Sequence, residues 1–299
     1  MKIALSPIPW SAAARRHLSD AMLLGVAAVW GSSYGVAKGA LAYYPVLGFL
    51  ALRFGLTGLL LLPSLWRLTA AQWRDTWRCG LPLGALLLGI FLAETHGVSL
   101  TQASNAAFLI SLCVVLTPWA AWWRLGERPS ASAWGWGGCS VAGAALLSGG
   151  WDGDWAWGDA LILLAAVLRA WMVCETRRLT QHRPVPALAL TAWQAWVVAA
   201  GCAALAWLSP GPAVPLPTAP AFWGACAYLV LACTVFAFYA QNWALRHSGP
   251  TRVALLMGSE PLFGALWAVA LWQEQLRPLQ WGGCALIALA VLGSSVRRG

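Results

Sequence analysis

The chain has 299 residues, of which 60% are hydrophobic and 10% charged, and a formal net charge of +9. Soluble domains carry about 25% charged residues, so the composition excludes a soluble globular protein. The positive charge then reads as membrane orientation, and nucleic acid is not expected as a partner.

In chain order, residues 1–20 read as a short cytoplasmic tail. They do not form a cleavable signal, because Pro7 and Pro9 interrupt the apolar run and Arg15-Arg16 follow it instead of preceding it. Ten apolar stretches follow, most of them near the ~20 residues that a helix needs to cross a bilayer. They are Ala21–Ala40, Val46–Leu65, Cys79–Val98, Ser104–Trp123 and Ala133–Gly149, then Trp157–Val173, Ala187–Leu208, Ala221–Trp243, Val253–Trp272 and Leu279–Val296. The expected fold is an all-α integral membrane protein of ten transmembrane helices. The eight cysteines show no CxxC spacing, so neither a metal nor a redox site follows from them, and no cofactor is expected.

The second half repeats the first at an offset of 147 residues. Phe91 falls on Phe238, Ala107 on Ala254, Leu109 on Leu256, Glu127 on Glu274 and Trp134-Gly135 on Trp281-Gly282. Five crossings per copy make the copies inverted, with repeats over 21–149 and 157–296, an arrangement that places a binding site between the halves. Near Ala27 and Ala165 the offset falls to 138, which locates an insertion around the proline-rich loop Ser209–Pro220. With the N-terminus inside, fifteen Lys and Arg residues lie on the cytoplasmic side and only Lys38 and Arg277 outside; Asp152, Asp154 and Asp159 also lie outside. This bias places both termini in the cytoplasm, the membrane being the cell's inner membrane.

Pro118 in the fourth span and Pro261 in the ninth lack an N–H, so the carbonyls of Val114 and Met257 lose their helical partners. Interruptions in matching spans point to a binding site or gate, and equally to a structural kink. Glycines at 31, 35 and 39, and at 80 and 84, mark close helix approaches.

Several segments resemble the EamA-type drug/metabolite transporter superfamily. They are Trp30-Gly31-Ser32-Ser33-Tyr34, Leu52-Arg53-Phe54, Leu125-Gly126-Glu127-Arg128 with Gly135, and Glu260-Pro261 followed by Glu274 and Gly282. The resemblance covers residues 21 to 296. It implies ten helices, cytoplasmic termini, a central cavity between two inverted bundles, and movement of small metabolites, often outward, including amino acids, drugs and nucleotide derivatives. Two departures stand out: Leu168-Arg169 lies where the first copy has Trp30-Gly31, and Gln273-Glu274 replaces Gly-Glu.

Four charges lie inside spans: Arg53, Glu94, Arg169 and Glu260. A charge near the bilayer centre costs about 2.5–3.5 kcal/mol on insertion scales, so each must face a cavity or a partner. One arrangement pairs Glu260 with one arginine and leaves the other as a fork for a substrate anion. The other arrangement closes a structural network in which Glu94 neutralises the second arginine, with Arg53 in that network before Arg169. Glu260 beside Pro261 is also a candidate for binding a coupling proton. Gln241-Asn242, matched to Glu94-Thr95, are candidate polar mouths, and Trp30, Tyr34, Trp171 and Tyr239 are candidate aromatic walls. Asn105, Gln194 and Ser259 suit a cavity or an inter-helix bond, and His96 a local bond. Glu127 and Glu274 read as structural, in helix capping or in salt bridges with Arg128 and Arg277.

The function these features favour is a monomeric secondary transporter that exports small metabolites, amino acids among them, by alternating access. No Asp-rich motif, His pair or nucleophile constellation supports an enzyme. A polytopic enzyme acting on lipid-like substrates and a passive channel remain the alternatives.

Overall fold

The computed structural model describes residues 12–101, 103–149, 156–209, 214–273 and 275–296; Lys2, Asp152, Asp154, Glu274, Arg297 and Arg298 lie outside this set. The described residues form helices α1 (Ala12–Leu41), α2 (Val46–Trp66), α3 (Ala70–Leu100), α4 (Ala103–Ser111), α5 (Cys113–Leu125), α6 (Ala131–Ser148) and α7 (Trp157–Thr180). They continue as α8 (Ala187–Leu208), α9 (Pro220–Val230), a π-helical segment (Leu231–Phe236), α10 (Ala237–His247), α11 (Pro250–Met257), α12 (Glu260–Trp272) and α13 (Pro278–Val296). No strand occurs among them. Counting α4–α5, α9–α10 and α11–α12 each as one interrupted helix, seven helices among the described residues are long and apolar enough to cross a membrane. In α1 the run Trp30–Gly35 and Lys38 dilute the apolar character, and the apolar part of α13 is short.

Helix starts follow local chemistry. Pro220 and Pro250 occupy first-turn positions, where a missing N–H loses nothing. At α3, Thr69 and Gln72 form a reciprocal capping box, so the helix begins nine residues before the apolar stretch that starts at Cys79. The expected tail is likewise helical from Ala12 onward and continuous with the first span. In both cases apolarity marks the membrane segment, and the hydrogen-bonded helix runs on past it.

The fourth and ninth spans are interrupted, but not as the prolines alone suggest. The first break falls at Leu112, and Pro118 lies buried inside α5, six residues further on. The second falls at Gly258-Ser259, and Pro261 sits in the opening turn of α12, where a proline is tolerated.

Matching helices of the two halves pack in crossed pairs: α3 on α7 and α1 on α10, α4 and α5 on α7, and α11 and α12 on α1, with α2 on α8 and α6 on α13 closing the bundle. Glycines set the closest approaches. A Cβ on Gly283 would lie 2.5 Å from the Gly143 carbonyl oxygen, and one on Gly31 would lie 2.6 Å from the Gly264 nitrogen. Gly80 and Gly84 similarly admit Trp193 and Val197 of α8, whereas Gly39 faces open space, so the α1 stripe is not a continuous contact.

Arginines gather at one end of the bundle. Arg252 grips both carboxylate oxygens of Asp20, at 3.0 and 2.5 Å, and donates to the Ser294 carbonyl. Arg177 donates to the Leu245 and Ser248 carbonyls, Arg246 to that of Arg183, and Glu175 accepts from Arg124 and Arg178. Glu127 lies 3.9 Å from Arg177, which corrects the expected partner Arg128. Apart from Glu175–Arg178, one helical turn apart, these contacts join chain segments far apart in sequence, which is why residue order could not supply them. At the opposite end Asp159 is buried, accepting from Thr101 Oγ1 and from the Ala156 N–H.

Gln273 ends α12 with φ of 54°, the left-handed conformation that Gly126, its counterpart at the offset of 147, adopts with φ of 70° at the end of α5. A side chain there costs about 1–2 kcal/mol. Gln273→Gly should therefore raise the apparent melting temperature in detergent, corresponding to about 1 kcal/mol of stabilisation. Gly283→Ala should lower it by an amount corresponding to about 1–3 kcal/mol of overpacking. Gly282→Ala, inside α13 with nothing within 4 Å, should not lower it and should raise it slightly through helix propensity. All three are read by thermal unfolding of the purified protein.

Candidate functional site

A central cavity lies between the two halves, lined by residues of α1 to α5 on one side and of α7 and α10 to α12 on the other. Its lining runs to Leu41, Phe49 and Val98, near the helix ends opposite the arginine-rich end. In the other direction it stops at Thr117, Val173 and Gln241. The four charges found inside spans, Arg53, Glu94, Arg169 and Glu260, all line it.

The four are not arranged symmetrically. Arg169 Nη2 donates to Glu260 Oε2 at 3.3 Å, and its Nη1 lies 3.9 Å from Glu94 Oε2. Its guanidinium also lies over the Trp30 ring, 4.8 Å from the centroid. One arginine thus holds both carboxylates and an aromatic face. Glu260 occupies the first turn of α12, where the helix dipole favours a negative charge. The Tyr34 hydroxyl is buried beside Glu260 and Arg169 without a well-formed hydrogen bond.

Arg53 is held differently. Its Nε donates to Thr234 Oγ1 at 3.1 Å, and its guanidinium lies 5.4 Å from the Phe54 ring centroid and 5.1 Å from that of Phe91. Among the described residues it has no carboxylate within ion-pair distance, and Nη1 and Nη2 make no hydrogen bond. The structure therefore places Arg169, not Arg53, in the ion-paired network with both glutamates. The sequence reading that put Arg53 there first is reversed, because the network is set by which helices meet: α3 packs on α7, and α12 on α1 beside them.

The π-helical segment orients both halves of this arrangement. Its Thr234 donates to the Leu229 carbonyl five residues back and accepts from Arg53. The carbonyl of Cys233, in the same segment, accepts from Trp30 Nε1 at 2.9 Å. Insertions of this kind release backbone groups and recur at functional sites. Nothing in the run Leu231–Phe236 distinguishes it in sequence from an ordinary apolar helix, so Thr234 and Cys233 were not among the expected site residues.

Of the other expected residues, Trp30, Tyr34, Gln241, Glu260 and Pro261 line the cavity. Gln241 is buried, and its Oε1 has no partner. Asn242 turns away and donates to Thr191 Oγ1 at 3.0 Å and Gln194 Oε1 at 3.1 Å, tying α10 to α8. Trp171 packs on Trp123 and under Arg124, away from the cavity. Tyr239 and Pro118 do not line it either. His96 makes its bond locally, to the Leu92 carbonyl.

Removing one partner of a buried ion pair costs about 3–5 kcal/mol, because the remaining charge is left uncompensated. Glu260→Gln should therefore lower the melting temperature of the purified protein markedly. Glu94→Gln, which loses only a 3.9 Å contact, should lower it less. Thermal unfolding of the two variants side by side gives the order.

The EamA-like transporter family model matches this chain twice, over residues 17–149 and 156–296. An "Uncharacterized transporter" of Archaeoglobus fulgidus is 29% identical over 296 residues, covering 95% of this chain and 87% of that protein. A solved structure described only as "Crystal structure of protein" superposes with a TM-score of 0.76 at 18% identity, covering 94% of this chain and 97% of the other, a likeness of fold. The chain belongs to the EamA-like transporter family, within the drug/metabolite transporter superfamily, and is a multi-pass membrane transporter.

Proposed function

We propose that the protein is a secondary transporter that exports small metabolites across the inner membrane by alternating access. It acts as a monomer, with two inverted five-helix repeats, ten spans and both termini in the cytoplasm. The observation that carries this reading is the central cavity built from both halves, with four charges from α2, α3, α7 and α12 on its wall. Crossed packing of matching helices, α3 on α7 and α1 on α10, supports the inverted arrangement. The arginine-rich end supports the orientation, since cytoplasmic ends collect basic residues.

Alternating access needs elements with two arrangements. The breaks at Leu112 and Gly258-Ser259 supply loosened backbone in matching spans, and both border the cavity, at Ser111 and Cys113 and at Gly258. In the present arrangement the cavity reaches toward the end opposite the arginine cluster, which under the proposed orientation is the outward side. The interlocked Arg177, Arg246 and Arg252 contacts form the closed side, and these would have to part on the inward swing.

Glu260 is placed to couple a proton. Its Oε2 holds Arg169, and it borders both the central cavity and a second, apolar one lined by Gly31, Ala144, Gly264 and Ala268. Protonation would release Arg169 toward Glu94 alone, giving the site two electrostatic states.

Protein reconstituted into liposomes should show saturable counterflow of a labelled metabolite; solute-independent conductance would instead mark a channel. Acidifying the compartment at the outer side should accelerate outward transport. Glu260→Gln should remove that acceleration while leaving counterflow measurable. If the wild type ignores an imposed pH gradient, Glu260 carries no coupling proton.

A further inference from the structure

Resting on the reading of the central cavity as the transport site, we infer that Arg53 is the substrate-binding cation and that the cavity selects organic monocarboxylates with an apolar body over zwitterions and amines. The argument starts from the charge ledger of the cavity wall. Two carboxylates and two guanidinium groups line it, so its formal charge is zero with all four ionised. That neutrality is not shared evenly. Glu94 and Glu260 both lie within 4.0 Å of Arg169, and Arg169 also covers the face of Trp30. The Arg169 cluster keeps a net charge of −1, but each of its carboxylates has a guanidinium within 4.0 Å, whereas Arg53 has no carboxylate within that distance.

The geometry around Arg53 presents a fork. Thr234 takes Nε, and Phe54 and Phe91 flank the group, which leaves Nη1 and Nη2 as donors with no partner among the described residues. Arg53 is only 5% exposed yet lines the cavity. Parallel donors of a guanidinium match the two oxygens of a carboxylate, and a partly desolvated cation gains most from an anion that enters with it. Neighbouring lining is apolar: Phe49, Leu87, Ile90, Phe91 and Phe238. A second orphan, the Gln241 Oε1, accepts but cannot donate, and so suits a hydroxyl or amide N–H on the substrate body. An ammonium group finds no carboxylate without a guanidinium beside it, since each glutamate already faces Arg169 and would have to give up that contact.

Three solutes with a common aromatic body and different charge test this: 3-phenylpropanoate, phenylalanine and phenethylamine. Each is titrated against the purified full-length protein in detergent, read by thermal stabilisation and by intrinsic tryptophan fluorescence, with acetate as an ionic-strength control. The expected result is saturable stabilisation by 3-phenylpropanoate, at least about tenfold tighter than by either amine-bearing analogue. Arg53→Gln, which removes the charge and the fork but keeps a polar amide donor, should weaken 3-phenylpropanoate by about ten- to hundredfold. Arg53→Lys, which keeps the charge without the fork, should fall between. Preference for phenylalanine or phenethylamine overturns the inference, as does equal response to acetate, no response to any of the three, or unchanged affinity in Arg53→Gln. The wild-type series decides the matter even if the variants fail to fold. Binding with this selectivity but without counterflow would sink the transport reading alone. Counterflow of other solutes without this selectivity would sink the Arg53 assignment alone.

Discussion

A guanidinium inside membrane-spanning helices must face a partner or a cavity, and Arg169, which finds both its counter-charges within the protein, organises the centre of this molecule accordingly. It draws Glu94 from α3 and Glu260 from α12, and it lies on the ring of Trp30 from α1. Those three helices all pack in the vicinity of α7 and α1. The ion pair thus does in lipid what a hydrophobic core does in water: it fixes which elements meet and in what register. Lipid tails are as apolar as leucine, so packing alone gives helices less reason to choose a partner.

The same economy of charge explains why the cavity is not symmetric although the scaffold nearly is. Arg169 occupies the place that Gly31 holds in the first copy, and Gly31 is where α1 meets α12 most closely. A side chain at Gly31 would collide with the Glu260 carbonyl and the Gly264 nitrogen. One copy therefore uses the position for backbone contact and the other for charge. Arg53 remains on the first-copy side, braced by a threonine that a π-helical turn pushes toward it.

The broken spans and the π segment belong together physically. Each leaves backbone groups without their usual helical partners, and each borders the cavity or holds a residue that does. The Cys233 carbonyl is re-satisfied by the Trp30 indole, and the Leu229 carbonyl by the Thr234 hydroxyl. Irregular backbone is tolerated in a membrane protein where protein or a cavity supplies the missing partners, which confines it to the region where substrate would pass.

Much of this was legible in the chain itself. Apolar runs of span length and basic residues confined to alternate turns are local or summed properties, so they mark a multi-pass membrane protein and point to an orientation. The resemblance around Trp30, Arg53 and Glu260 marked the family, and mid-span charge marked the four residues that line the cavity. What residue order could not contain was the pairing. Arg169 rather than Arg53 takes both carboxylates, Glu127 meets Arg177, and Asn242 faces α8 while its neighbour Gln241 faces the cavity. The breaks at Leu112 and Gly258, and the π turn at Leu231–Phe236, were also out of reach, because they arise where helix–helix contacts outweigh local hydrogen bonding. Sequence determined which residues must be inside the membrane and need partners. The tertiary structure decided which partners they found, because that depends on helix crossings between segments that, in these pairings, lie 48 to 91 residues apart.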